Sequence, residues 1–123
     1  MKLRIRGNSI RLRLKRGEVE SLAAGNKLVE ETEFPGTAFS YSLELSDNED
    51  MVASFDAGRI EVSMPREIIP EWADTDLVTL YSEQDLSGNG KLEILVEKDF
   101  SCLEPGHHRN CEDDQDTYPH PSA

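Results

Sequence analysis

The sequence predicts an α+β fold that is mostly antiparallel β, a small sheet or barrel of about seven or eight strands with one or two short helices. Three observations predict it. Apolar and polar residues alternate with a period of two through most of the chain up to Leu103. Glycine- and asparagine-bearing turns punctuate the alternating runs. Helical spacing replaces alternation in two short stretches.

Leu3 and Ile5 alternate with Lys2, Arg4 and Arg6, and Ile10, Leu12 and Leu14 alternate with Arg11, Arg13 and Lys15. Each run reads as a half-buried strand, with Gly7-Asn8-Ser9 as the turn between them. Glu18 to Ala24 reads as a short helix with Val19 and Leu22 on one face, stopped by Gly25-Asn26. Strands are expected over 27–33, 38–45, 51–56 and 59–64, broken at Pro35-Gly36, Ser46-Asp47-Asn48 and Ala57-Gly58. Pro65 to Ala73 opens a second short helix, interrupted by Pro70. Leu77 to Tyr81 and Leu92 to Val96 form a last pair across Gly88-Asn89-Gly90. Asp85 to Glu93 imitates a calcium loop, but Val96 stands where the bidentate glutamate belongs. The segment therefore reads as an Asn-Gly hairpin.

The 123 residues suit one domain, and 37% hydrophobic content suffices for one core. The expected division is a compact, mostly β domain over 1–103 and an acidic tail over 104–123 holding all three histidines and three of the six prolines. The basic N-terminus has no hydrophobic region of the signal-peptide kind, and no apolar run reaches membrane-spanning length. A cytoplasmic protein without a membrane partner is expected. The net charge of −12 argues against general nucleic-acid binding.

That charge is unevenly spread. Residues 1–17 hold seven of the thirteen basic residues and no acidic one. On a regular hairpin, Arg4, Arg6, Arg11, Arg13 and Lys15 project from one face. Such a face can hold phosphate or carboxylate bidentately. It can equally be neutralised by cross-strand carboxylates from Glu30, Glu31, Glu33 or Glu44, or by the acidic tail.

A second candidate lies in Phe100-Ser101-Cys102-Leu103-Glu104-Pro105-Gly106-His107-His108-Arg109-Asn110-Cys111. Thiolate and imidazole are preferred ligands of copper and zinc. Cys102, His107 and Cys111 could share one ion, with His108 or His120 completing the set. The segment resembles the copper loop of cupredoxins such as azurin, in which Cys-x-x-Pro-Gly-His follows a strand and a methionine stands where Cys111 does here. The resemblance implies a copper site. No histidine precedes His107 and no strand-like run follows, so an altered copper site and a structural zinc both remain open.

The whole chain also resembles a small bacterial family of uncharacterised proteins, through KLRIRGNSIRLRLKRGEVESLA, FPGTAFSYSLE, LVEKDFSCL and the closing YPHP. That resemblance implies a compact domain with an acidic tail and supplies no mechanism. Nucleophile-elbow, Walker and Rossmann signatures are missing, which points away from catalysis. The first functional expectation is a non-catalytic protein binding copper or zinc through the Cys-His loop. The alternative is an interaction module whose basic hairpin holds an anionic partner, a phosphate-rich ligand or its own tail.

Overall fold

The computed structural model describes residues 1–99 and Tyr118. Eight strands form two four-stranded sheets, with two short helices between them in sequence. The strands are β1 (Lys2–Arg6), β2 (Ser9–Leu14), β3 (Leu28–Phe34), β4 (Thr37–Ser46), β5 (Val52–Asp56), β6 (Arg59–Pro65), β7 (Thr79–Asp85) and β8 (Lys91–Lys98). The helices are α1 (Arg16–Ala23) and α2 (Ile69–Ala73). The expected mostly antiparallel architecture is present as two open sheets rather than a closed barrel.

Each sheet is two hairpins joined side by side. The first has the order β1-β2-β8-β7 and the second β3-β4-β6-β5. Within a hairpin the strands are antiparallel, but the central joins, β2 to β8 and β4 to β6, are parallel. Neighbouring parallel strands need a long connection. Between β4 and β6 it is supplied by the outward excursion of β5, and between β2 and β8 by most of the chain. The registers put all four hairpin turns at one end and both helices at the other.

Alternation drives the packing. Ile10, Leu12 and Leu14 of β2 and Ile94 and Val96 of β8 face inward against Leu43, Ile60, Val62 and Met64 of the second sheet. The helices plug their end of the sandwich with Val19, Leu22, Ile69 and Trp72, all buried. α1 starts two residues earlier than the sequence suggests. The Glu18 carboxylate reaches back to accept the Lys15 backbone N–H at 2.9 Å, which fixes the first turn at Arg16. Gly25, at φ +98°, ends it, as expected. Pro70 is tolerated because a 3-10 turn over Arg66–Ile68 precedes α2 and leaves the proline in the first helical turn, where no N–H is required. Trp72 donates its indole N–H to the Val78 carbonyl at 3.1 Å.

The expected hairpin over Asp85 to Glu93 is present, closed by Leu86 N–H donating to the Gly90 carbonyl at 3.0 Å. At the β5–β6 turn Ala57 and Gly58 both have positive φ, the geometry that suits the twist of a two-residue hairpin. A side chain at Gly58 would meet the Ala38 carbonyl at 3.1 Å.

Two contacts tie the sheets together at their edges. On one side, Gln84 of β7 reads the outer edge of β5 as a strand would. Its Oε1 accepts the Ala53 N–H at 2.7 Å and its Nε2 donates to the Ala53 carbonyl at 3.0 Å. On the other, the Met1 amino group is held by Glu18 and, at 3.0 Å, by Glu30, while the Tyr41 hydroxyl donates to the Met1 carbonyl at 2.8 Å. Burial, and then the charges of Glu30 and Glu18, raise the Tyr41 pKa. Gln84→Ala would leave both Ala53 backbone groups without their partner. We expect it to cost about 1–3 kcal/mol, read as a lower urea midpoint from the emission of Trp72, the one tryptophan in the chain.

Candidate functional site

The outer face of the first sheet carries opposite charges on its two halves. Pairing sets Lys2 opposite Arg13, Arg4 opposite Arg11, and Arg6 opposite Ser9. Because Ile10, Leu12 and Leu14 point into the core, Arg11 and Arg13 point outward, and the register carries Lys2, Arg4 and Arg6 onto the same face. Beside them run Glu93, Leu95 and Glu97 of β8, then Thr79, Tyr81 and Glu83 of β7.

The boundary is a charge-assisted node at Glu97, a carboxylate only 7% exposed. Arg13 Nε donates to its Oε1 at 2.5 Å, Arg11 Nε lies 3.7 Å away, and Thr79 Oγ1 donates to Oε2 at 3.2 Å. The Lys2 ammonium pairs with buried Asp99 at 3.2 Å, an ion pair not aligned as a hydrogen bond. Among the described residues, no carboxylate lies within ion-pair distance of Arg4 or Arg6, and both are exposed.

Four of the five expected anion-binding residues, Arg4, Arg6, Arg11 and Arg13, therefore share a face. Lys15 follows them as the extended N-cap residue of α1, one position beyond the paired ladder. Lys2 is on the shared face as well. The compensating carboxylate among the described residues is none of the four cross-strand candidates: Glu30, Glu31 and Glu44 lie in the second sheet with Glu33, and Glu97 pairs with Arg13, while the acidic tail lies outside the described residues. Glu97 sits 84 positions from Arg13, and only the parallel join brings them together.

Lys98 follows Glu97 into the interior at 4% exposure. Its ammonium donates to the Thr75 carbonyl at 2.6 Å and lies over the rings of Trp72 (6.0 Å) and Tyr118 (5.3 Å). Burial lowers its pKa, opposed by the charges of Asp76 and Asp74. Tyr118 also stacks under the Arg16 guanidinium at 5.2 Å and donates its backbone N–H to the Asp99 carbonyl at 2.9 Å. Asp99 and Tyr118 thus lie side by side at the end of β8. The expected metal ligands Cys102, His107, His108, Cys111 and His120 lie outside the described residues, as does the cupredoxin-like loop. Among the described residues no cluster of His, Cys, Asp and Glu is arranged to hold a metal.

Sequence reasoning missed an apolar cleft of about 430 Å³ between the sheets at the turn end. Its walls come from Ile5, Ile10 and Leu92 of the first sheet, Phe39, Phe55 and Ile60 of the second, and Leu86 in the β7–β8 turn. One or two residues from each of several strands leave no local signature. The nearest clue is Phe55, an aromatic residue beside a turn.

The chain belongs to the family of unknown function DUF7009, which it matches over residues 1–122. No curated protein and no solved structure matches it. Membership agrees with the resemblance seen in the opening, central and closing segments. Among the described residues, this DUF7009 protein has no helix long and apolar enough to cross a membrane.

Tyr81 provides a probe of the acidic half of the face. Its hydroxyl donates to Glu93 Oε1 at 2.9 Å, and that bond, with burial and the Glu83 charge assisting, pushes its pKa up to about 12 from 10.0. The stabilisation from this bond is complete below pH 10.0 and lost as pH rises through about 12. In a phenolate absorbance titration, Tyr81→Phe should remove a late-titrating tyrosine. Glu93→Gln should bring that tyrosine back toward its ordinary value.

Proposed function

We propose that this DUF7009 protein is a non-catalytic cytoplasmic interaction module whose N-terminal β-hairpin holds an anionic partner. One observation carries the reading, the Arg4–Arg11 pair directly opposed across β1 and β2. Like charges facing each other in an antiparallel pair destabilise it. The neighbouring Lys2–Arg13 pair has a carboxylate for each cation, whereas among the described residues Arg4 and Arg11 have only Arg11's long contact to Glu97. An incoming phosphate or carboxylate would relieve this repulsion and accept planar guanidinium donors.

Calorimetry with tripolyphosphate tests it. Binding should weaken as salt rises, and Arg4→Gln with Arg6→Gln and Arg11→Gln should lower affinity about tenfold or more, equivalent to at least about 1.4 kcal/mol. Binding that ignores both salt and these substitutions rejects the proposal. Neutralising Glu112, Asp113, Asp114 and Asp116 in the same assay asks whether the acidic tail competes, in which case affinity rises.

A second reading, a copper or zinc site at Cys102, His107 and Cys111 with His108 or His120, is favoured by the Asp99–Tyr118 hydrogen bond. Holding residues 99 and 118 together lowers the entropy cost of gathering ligands from the chain between them. Native mass spectrometry with copper(I), copper(II) or zinc should then show one ion per chain, lost in Cys102→Ala/Cys111→Ala. Stoichiometric metal retained by that variant removes this reading.

A further inference from the structure

We propose that the turn-end cleft takes the alkyl chain of a free, single-chain anionic amphiphile, such as a fatty carboxylate or an alkyl phosphate. Its head would meet Arg4 and Arg6. The head-group assignment rests on the anion-binding reading above; the cleft assignment stands on separate observations.

The first is size and chemistry. About 430 Å³ falls within the roughly 300–1,000 Å³ typical of small-molecule sites. The lining is hydrocarbon and aromatic apart from Ser54 and Gln84. The Gln84 amide has both its oxygen and its nitrogen engaged by Ala53, so it asks nothing of a ligand. A polar guest would lose its water without compensation there, whereas an alkyl chain loses nothing.

The second is unspent apolar surface at the mouth. Phe55 is 69% exposed and Ile5 58% exposed, and both line the cleft. An occupant would cover them.

The third is charge. Ile5 lies between Arg4 and Arg6 on β1, which among the described residues is an edge strand paired to β2 alone. Ile5 faces the cleft, and its two neighbours carry the cations without a carboxylate partner among the described residues. Arginine stems lie readily along apolar surface while their heads remain in water. Arg4 and Arg6 project from the opposite face of β1, so their stems would fold round the strand's outer edge to bring two positive charges to a head emerging past Ile5, and an anionic head is the complement.

Calorimetry on the full chain, with monomeric octanoate, decanoate, dodecanoate and the matched alcohols, tests the inference. Each added methylene should raise affinity about fourfold until the cleft is full. Ile5→Ser/Phe55→Ser changes two exposed side chains, so the fold should persist by Trp72 emission while dodecanoate affinity drops about tenfold or more. Arg4→Gln/Arg6→Gln should weaken dodecanoate and leave dodecanol unchanged. Affinity independent of chain length, or unaffected by Ile5→Ser/Phe55→Ser, overturns the cleft assignment. Equal binding of dodecanoate and dodecanol overturns the head-group assignment. Binding to anionic phospholipid vesicles without binding of the monomers also overturns the proposal. Tripolyphosphate binding that survives loss of the alkyl-chain effect identifies the cleft as the failed part, and the converse identifies the anion reading.

Discussion

The parallel pairing of β2 with β8 is the constraint on which the rest of the structure depends. It joins the first hairpin to the last and makes one continuous inner face of Ile10, Leu12, Leu14, Ile94 and Val96. With its counterpart between β4 and β6, it aligns all four hairpins. The helices then close one end of the sandwich and the other remains a cleft. The same join delivers Glu97 to Arg13, so the charge pattern of the outer face follows from the topology that builds the core.

The end of β8 shows how charge is accommodated inside so small a domain. Glu97, Lys98 and Asp99 are consecutive and all buried. Burying ions is costly unless each finds a partner. Glu97 takes two arginines and a hydroxyl, Lys98 takes a carbonyl and two aromatic rings, and Asp99 takes Lys2. The hairpin's cations are thereby divided. Lys2 and Arg13 secure the end of the sheet near the helices, while Arg4 and Arg6 remain exposed toward its turn end. Carboxylates opposite these last two would favour the isolated hairpin; Arg11 and Ser9 stand there instead, and the turn end of the face stays basic.

Elements within one hairpin were legible in the sequence because their signals are local. The alternation of Ile10, Leu12 and Leu14 announces a strand, and Gly88-Asn89-Gly90 announces a turn. The shared face of Arg4, Arg6, Arg11 and Arg13 was also legible, since strand geometry alone puts them there. The order of hairpins was not, because alternation identifies an inward face without naming the strand beside it. Glu97 looked like any other carboxylate in an acidic chain, and its role depends on an arginine 84 positions away. The cleft was illegible for the same reason, being assembled from Ile5, Phe39, Phe55 and Leu86 on separate elements.

The distance between β2 and β8 along the chain also orders events during synthesis. The first hairpin leaves the ribosome early, yet the strand that covers its flank and the carboxylate that quiets its arginines are among the last parts of the domain to be made. The hairpins of the second sheet, whose strands are closer in sequence, can pair while the first still waits. The nascent protein therefore passes through an interval in which a basic, half-apolar ribbon is presented beside the polyanionic ribosome. Completion of β8 ends that interval and commits the chain to its native topology.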